Sequence, residues 1–197
     1  MKTIALAVTA AALFNFPVCF AQSQQWDVDH SHSSVNFAVD HLVISETNGK
    51  FDTYALDVKS DKPDFTDASF TAVIQTKSIN TADSKRDEHL RAKDFFDVQK
   101  NPTIVFEGKK FEKVKGSTYK VYGKLTLNGV TKDVVWIAKF NGIVKDPWGG
   151  TRAGLKVSTE IDRYAYGLKY NSVLESGGLA VGQEVRIAAN FELVKKQ

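Results

Sequence analysis

The residues best equipped for chemistry stand close together near the start of the sequence. His30, His32 and His41 are interleaved with Asp27, Asp29 and Asp40. Imidazole and carboxylate are common ligands of zinc and related ions, and a His-x-His pair on a strand sends both rings to one face. His41 follows His32 by nine residues, so on an unbroken strand it turns to the other face. The spacing supplies no third ligand, and these groups read better as capping and hydrogen-bonding residues in loops around an opening. No metal and no cofactor is expected.

Hydrolytic chemistry lacks its parts. The single cysteine, Cys19, lies in the N-terminal leader. Glu175-Ser176-Gly177 lacks the first glycine of a nucleophile elbow. Asp87 and His89 stand two apart on a helical stretch, a spacing that does not bring two side chains together. Gly149-Gly150 and Gly177-Gly178 fall between strands, so no glycine-rich loop opens a helix to cradle phosphate. The expectation is a protein that is not an enzyme and has no catalytic residue. What remains is apolar contact, carried by the regular elements of the chain.

The chain has 197 residues, with 26 Lys+Arg against 23 Asp+Glu, and one domain is the default at this length. Its net charge of +3 is spread among acids rather than gathered into a run, which argues against a nucleic-acid partner. Lys2, the apolar run from Ile4 to Phe16 and the end Cys19-Phe20-Ala21 read as a signal peptide over residues 1–21. The run is too short for a transmembrane span. Lipid attachment at Cys19 is the alternative, although Pro17 and Val18 stand where a lipoprotein signal places small residues. The mature domain, residues 22–197, then has no thiol and must be stable through its core alone.

Downstream, apolar residues alternate with polar ones at the period of a strand with one buried face. Val35, Phe37, Val39, His41 and Val43 form the first such run. Thr47-Asn48-Gly49-Lys50 reads as a hairpin turn, followed by a strand from Phe51 to Lys59. Ala68 to Thr76, Thr103 to Phe111, Tyr119 to Leu127, Val134 to Phe140, Ala153 to Thr159 and Val185 to Leu193 continue the pattern. Asn128-Gly129 and Asp146-Pro147-Trp148-Gly149-Gly150 are turns, and the irregular stretch from Asp162 to Gly182 could fold over an opening. About eight strands with hairpin spacing predict an all-β, lipocalin-like antiparallel barrel, since closure removes exposed edges. A two-sheet sandwich fits the same alternation.

One stretch breaks the pattern. Ser78 to Pro102 predicts a short charged helix inserted between strands three and four. Ser84 can cap it with Asp87 three residues on, and Leu90, Lys93 and Asp94 then share a face. Phe95 and Phe96 close the segment before Asn101-Pro102, and two adjacent rings there can plug an apolar opening. Along the inward face, Ala72, Gly123, Ala138, Ala153 and Ala189 accompany Phe70, Phe106, Trp136 and Phe191. Such small residues either leave volume for a ligand or let large neighbours interdigitate.

Several motifs together carry a resemblance. His32-Ser33-x-x-x-Phe37, His41-Leu42, Gly49-Lys50-Phe51, Ser78-Ile79-Asn80-Thr81, Arg86-Asp87-Glu88-His89-Leu90 and Asp94-Phe95-Phe96-Asp97 are similar to the signature of the YceI-like family. Pro102-x-Ile104-x-Phe106, the run from Gly123 to Lys132, and Arg163-x-x-x-Gly167-Leu168 continue it in order. His30 and Asn128 depart from the residues commoner there. The resemblance implies a lipocalin-like barrel in the periplasm, an apolar tunnel for a long lipid such as a polyisoprenoid, and a possible homodimer. On this reading the barrel stores or transports an isoprenoid or fatty-chain lipid. The side chains expected to contact it are Phe37, Val39, His41, Phe51, Phe70, Ile74, Phe95, Phe96, Ile104, Phe106, Leu125, Trp136, Phe140, Leu155, Ile187 and Phe191. The head group is expected at the mouth, beside the helix and the His-rich first loop. The alternative is a stress-related or interaction protein whose barrel is filled by its own side chains.

Overall fold

The computed structural model describes residues 23–172 and 179–196, so the leader expected over 1–21 lies outside the described residues. The first strands are β1 (Gln25–Val28), β2 (Ser34–His41), β3 (Ser45–Phe51), β4 (Tyr54–Lys59) and β5 (Ser69–Gln75). A 3-10 turn (Thr76–Ser78), β6 (Ile79–Asn80) and α1 (Ser84–Arg91) follow. Next come β7 (Thr103–Lys115), β8 (Thr118–Leu127), β9 (Val130–Lys145) and β10 (Thr151–Asp162). A second 3-10 turn (Arg163–Tyr166) and β11 (Val181–Lys195) complete the chain.

All strand pairs are antiparallel, and β1 closes the sheet by pairing with β11. β11 also pairs with β2, so β1 and β2 together form one interrupted stave. β3 and β4 form a second such stave, with β3 against β2 and β4 against β1. With β5, β7, β8, β9, β10 and β11 the result is a closed eight-stave barrel, and α1 is inserted between the third and fourth staves. Closure rather than a sandwich follows from the length of β11, which reaches past β2 to bind β1 at residues 193–195.

Three local expectations are corrected. The first hairpin turns at residues 42–44, not at Thr47-Asn48-Gly49-Lys50, which lies within β3 and the sheet. Gly49 pairs with Phe37, and an added methyl there would collide with the Phe37 ring. The glycine serves close approach across the strands, not the turn. The actual turn places Leu42 at φ 54° and Val43 at φ 63°, a left-handed backbone that large side chains adopt only under tertiary constraint. Second, α1 is capped by Asp83, whose carboxylate accepts from the backbone N–H groups of Lys85 and Arg86. Asp87 is buried and accepts instead from the N–H and the hydroxyl of Thr81, at 2.8 and 2.6 Å. Third, α1 stops at Arg91, so Lys93 and Asp94 do not extend its face. At Asn128-Gly129 the expected hairpin forms, with φ of 50° and 72° as a primed turn requires.

The barrel has two unlike ends. One, the base, carries the turns at 116–117 and 146–150 and the loop of residues 60–68. There Phe65 is inserted among Trp26 and Phe140, with ring centroids at 5.2 and 4.7 Å. The other end carries the turn at 42–44, the segment 76–102 with α1, the Asn128-Gly129 turn and the connection from β10 to β11.

Candidate functional site

A cavity of about 370 Å³ occupies the half of the barrel below this second end, which is its mouth. Of the side chains expected to contact a ligand, Phe70, Ile74, Ile104, Phe106, Leu125, Trp136, Ile187 and Phe191 line its walls and floor. Phe37, Val39, His41, Phe51, Phe95 and Phe96 also line it. Phe140 and Leu155 do not. Both are buried below the floor, where Phe140 packs on Phe65 and edge-on to Tyr119. Strand alternation fixes which face a residue uses but not its depth along the barrel, and these two sit too near the base.

The floor is a stacked pair, Trp136 on Phe106, with centroids 3.9 Å apart and planes 10° from parallel. Phe106 lies over Gly123, where an added methyl would meet its ring at 2.9 Å as well as the Glu107 carbonyl. The small inward residues therefore divide by task. Ala72 and Ala189 line the cavity and open its width. Gly123 makes room for the Phe106 ring, while Ala138 and Ala153 belong to the filled half. The barrel is thus hollow at one end and packed at the other.

Aromatic rings continue upward. Phe51 contacts Phe37 and Phe96, and Phe95 contacts Phe96 and Tyr170, at centroid distances between 5.6 and 6.4 Å. The backbone N–H of Phe96 donates to the Leu90 carbonyl at 3.1 Å, which turns the two rings inward as α1 ends. Asn101 and Asn128 lock the mouth segments together. The Asn101 amide donates to the Phe96 carbonyl and to Asn128 Oδ1, and the Asn128 amide donates to the Tyr166 carbonyl at 3.0 Å.

Sequence reasoning missed the polar rim. Arg86, His89, Arg163, Thr81 and Tyr170 line the mouth. Arg163 is 2% exposed, and its guanidinium donates to the carbonyls of Leu168, Tyr170, Val181 and Gly182 at 2.6 to 3.0 Å. Burial pulls its pKa below the usual arginine value. Arg86 is exposed, yet its Nε donates to Thr81 Oγ1 and its Nη2 to the Thr81 carbonyl, at 2.8 and 2.9 Å. Thr81 in turn is held by Asp87. In the sequence Arg86 belongs to the short charged helix and Arg163 to the irregular stretch from Asp162 to Gly182. The one sequence signal at either position was its place in a family motif.

The His-rich first loop is not at the mouth. His30 and His32 lie in the break between β1 and β2 rather than on a strand, low on the outer wall. His32 Nδ1 is 3.0 Å from Asp29 Oδ2, and His30 packs on Tyr54. Asp29, His32 and Glu192 bring potential metal-ligating atoms within 4.8 Å of one another. The cation among them is Arg152, whose Nη1 contacts Asp29 at 2.7 Å and Glu192 at 2.6 Å, while its Nε contacts Asp146. Hydrogen bonds from Ser31, His32 and Arg152 hold the Asp29 carboxyl well below the usual carboxylate range. The bond to Asp29 raises the His32 pKa from its ordinary value.

Comparison with known proteins places this geometry. The profile of the YceI-like domain matches residues 26–193. A UPF0312 protein of Staphylococcus aureus is 37% identical over 165 residues, covering 83% of this chain and 94% of the relative. The YCEI protein of Campylobacter jejuni superimposes with a TM-score of 0.69 at 28% identity, over 80% of this chain and 90% of that one. A polyisoprenoid binding domain from Saccharophagus degradans, implicated in plant cell wall breakdown, shares the fold with a TM-score of 0.62 at 16% identity. That match covers 88% of this chain and 98% of the domain.

Proposed function

The chain belongs to the YceI-like family, and on that premise we propose that its barrel interior binds one long apolar chain of isoprenoid type. The observation that carries this reading is the cavity of about 370 Å³, walled mainly by aromatic and aliphatic side chains. Its volume falls within the roughly 300–1,000 Å³ of small-ligand sites. The name of the Saccharophagus degradans domain supports an isoprenoid rather than another apolar occupant.

The physical basis is burial of alkyl surface. Each CH₂ moved from water into the tunnel contributes roughly 0.8 kcal/mol before ordering costs, so about a dozen buried carbons suffice for strong binding without a specific polar contact. The floor formed by Trp136 and Phe106 stops the inserted end. Phe95 and Phe96 cover the chain where it leaves the barrel. Such a device shields and releases a chain; it needs no reacting group, and the reading is of a carrier or store rather than an enzyme.

Native mass spectrometry of protein purified from its own host tests the proposal. A bound species of lipid mass, removable by solvent and restored by adding geranylgeraniol, is the expected result. Protein that carries no lipid and takes up no geranylgeraniol overturns it. We further propose that residues 1–21 are removed on export to the periplasm. Intact-mass analysis of exported protein should then match residues 22–197, and a diacylated species beginning at Cys19 excludes that route.

A further inference from the structure

The mouth carries an apolar tip that stands in water. In the turn at 42–44, Val43 is 72% exposed and Ile44 86%, the latter more than any other large apolar side chain among the described residues. Two adjacent aliphatic side chains on one protruding turn mark a place of contact. The turn is also held there against its own preference. Val43 is β-branched and stands at φ 63°, after Leu42 at φ 54°, a left-handed backbone that asparagine or glycine takes with less strain. The Leu42 N–H donates to the Ala180 carbonyl at 2.9 Å. The Ile44 N–H and the Ser45 hydroxyl both donate to the His41 carbonyl. These bonds fix the tip in place.

Position decides what the tip meets. His41, Thr47 and Ala180, which anchor or flank the turn, line the cavity, so the tip stands on the lip of the tunnel. Trp148, almost as exposed, is in the turn at 146–150 at the base, away from the mouth. A stable protein interface buries about 800 Å² on each partner, which two aliphatic side chains on a narrow turn do not approach. Insertion into the apolar edge of a bilayer needs no matching surface, only buried apolar area. The wall below the tip adds no attraction for anionic lipid. Asp40, Glu46, Glu160, Asp162 and Glu184 gather there around Arg186, and Glu160, with Asp162 and Asp40, pushes the Glu184 pKa up.

We propose that the turn at 42–44 inserts Val43 and Ile44 into a phospholipid bilayer, so that the apolar chain passes between membrane and tunnel without crossing water. This rests on the chain-binding reading above and names the surface that supplies the chain. Apolar area exposed on the way costs free energy, so a mouth pressed to the bilayer lowers the barrier to transfer.

The test follows uptake of geranylgeraniol from phosphatidylcholine vesicles. Delipidated protein is separated from the vesicles at intervals and its bound lipid is measured by mass. The initial rate should rise in proportion to vesicle concentration, as a collisional transfer requires. The double variant Val43→Asn, Ile44→Gln should slow that rate by about tenfold. Its melting temperature should hold or rise, because asparagine accepts the left-handed backbone. Its affinity for geranylgeraniol delivered from cyclodextrin should equal that of the wild type. A wild-type rate independent of vesicle concentration, or a double variant as fast as wild type, overturns the docking while the chain-binding reading stands. A concentration-dependent dimer that the double variant abolishes also overturns it, since the tip would then meet a second copy. So does acceleration by phosphatidylglycerol that wild type and variant share, which would make charge the anchor. Failure to take up geranylgeraniol even from cyclodextrin overturns the chain-binding reading, and this one with it.

Discussion

Both ends of the barrel are stopped by phenylalanine rings carried on long connections, yet only the base is filled. At the base Phe65 is 2% exposed and enters on a left-handed backbone with φ 58°. Its loop is tied down by the Asp67 carboxylate, which accepts from Ser60 Oγ and from the N–H groups of Asp61 and Lys62. Tyr119 fixes it further by donating its hydroxyl to the Asp64 carbonyl at 2.8 Å. Trp26 and Phe140, both buried, pack against the ring, so the protein surrounds it. At the mouth Phe95 and Phe96 touch one another, Phe51 and Tyr170, and the remaining side is open cavity. A ring enclosed by protein contributes to stability; a ring with one face on a void holds that face for a ligand. The mouth segments are held instead by polar contacts through Asp87, Thr81, Asn101 and Asn128.

The sharpest way to break this comparison is at the base. Phe65→Ala should lower stability by about 3–5 kcal/mol in chemical denaturation, the usual cost of emptying a packed aromatic site. Lipid uptake by the folded fraction should be kept. A loss well below that would mean that the base is not a fixed plug.

The matching change at the mouth should read out differently. Replacing Phe95 and Phe96 together by Ala should weaken lipid retention by tenfold or more, given about 1.5–3 kcal/mol for each ring fully buried. The lipid-free melting temperature should fall less than for Phe65→Ala. A double variant that loses stability and keeps its affinity refutes the lid role.

Between the two ends lies the floor, and tryptophan fluorescence can locate it. Trp136 lines the cavity, whereas Trp26 is buried at the base and Trp148 is exposed in the turn at 146–150. Adding geranylgeraniol to delipidated protein should shift emission, and Trp136→Phe should lose most of the shift. A variant that responds like wild type places the floor elsewhere.

The smallest effect is expected on the outer wall. His32 has its pKa raised above 6.5 by its bond to Asp29, so the pair contributes stability that is fully present below the unfolded value. That contribution is lost as pH rises through the raised folded value. His32→Gln should therefore lower the melting temperature more at about pH 5.5, below the unfolded value, than at about pH 8.5. Lipid affinity should not change at either pH. An identical deficit at both excludes a charged pair.

Much of this protein is set by local pattern. Strict alternation along β5, β8 and β11 determines which side chains face inward, because the strand period allows only two faces. The Asn128-Gly129 turn, the placement of the helix between the third and fourth staves and the inward turn of Phe96 follow from residue types that few backbone conformations accept. Tertiary structure alone decided depth. Phe140 and Trp136 share one face of β9, and only the height of Phe65 and the stacking of Phe106 put one below the floor and the other on it. It also decided what Gly49 is for, since the ring it accommodates sits on the neighbouring strand. The charge at the rim depends on partners that folding selects: Arg163 and Arg86 are held by carbonyls and by Thr81, which leave their charge uncompensated, while the charge of Arg152 is offset by three carboxylates across the wall. Charge in a sequence is a property of single residues, but its neutralisation is a property of neighbours, and only folding selects those.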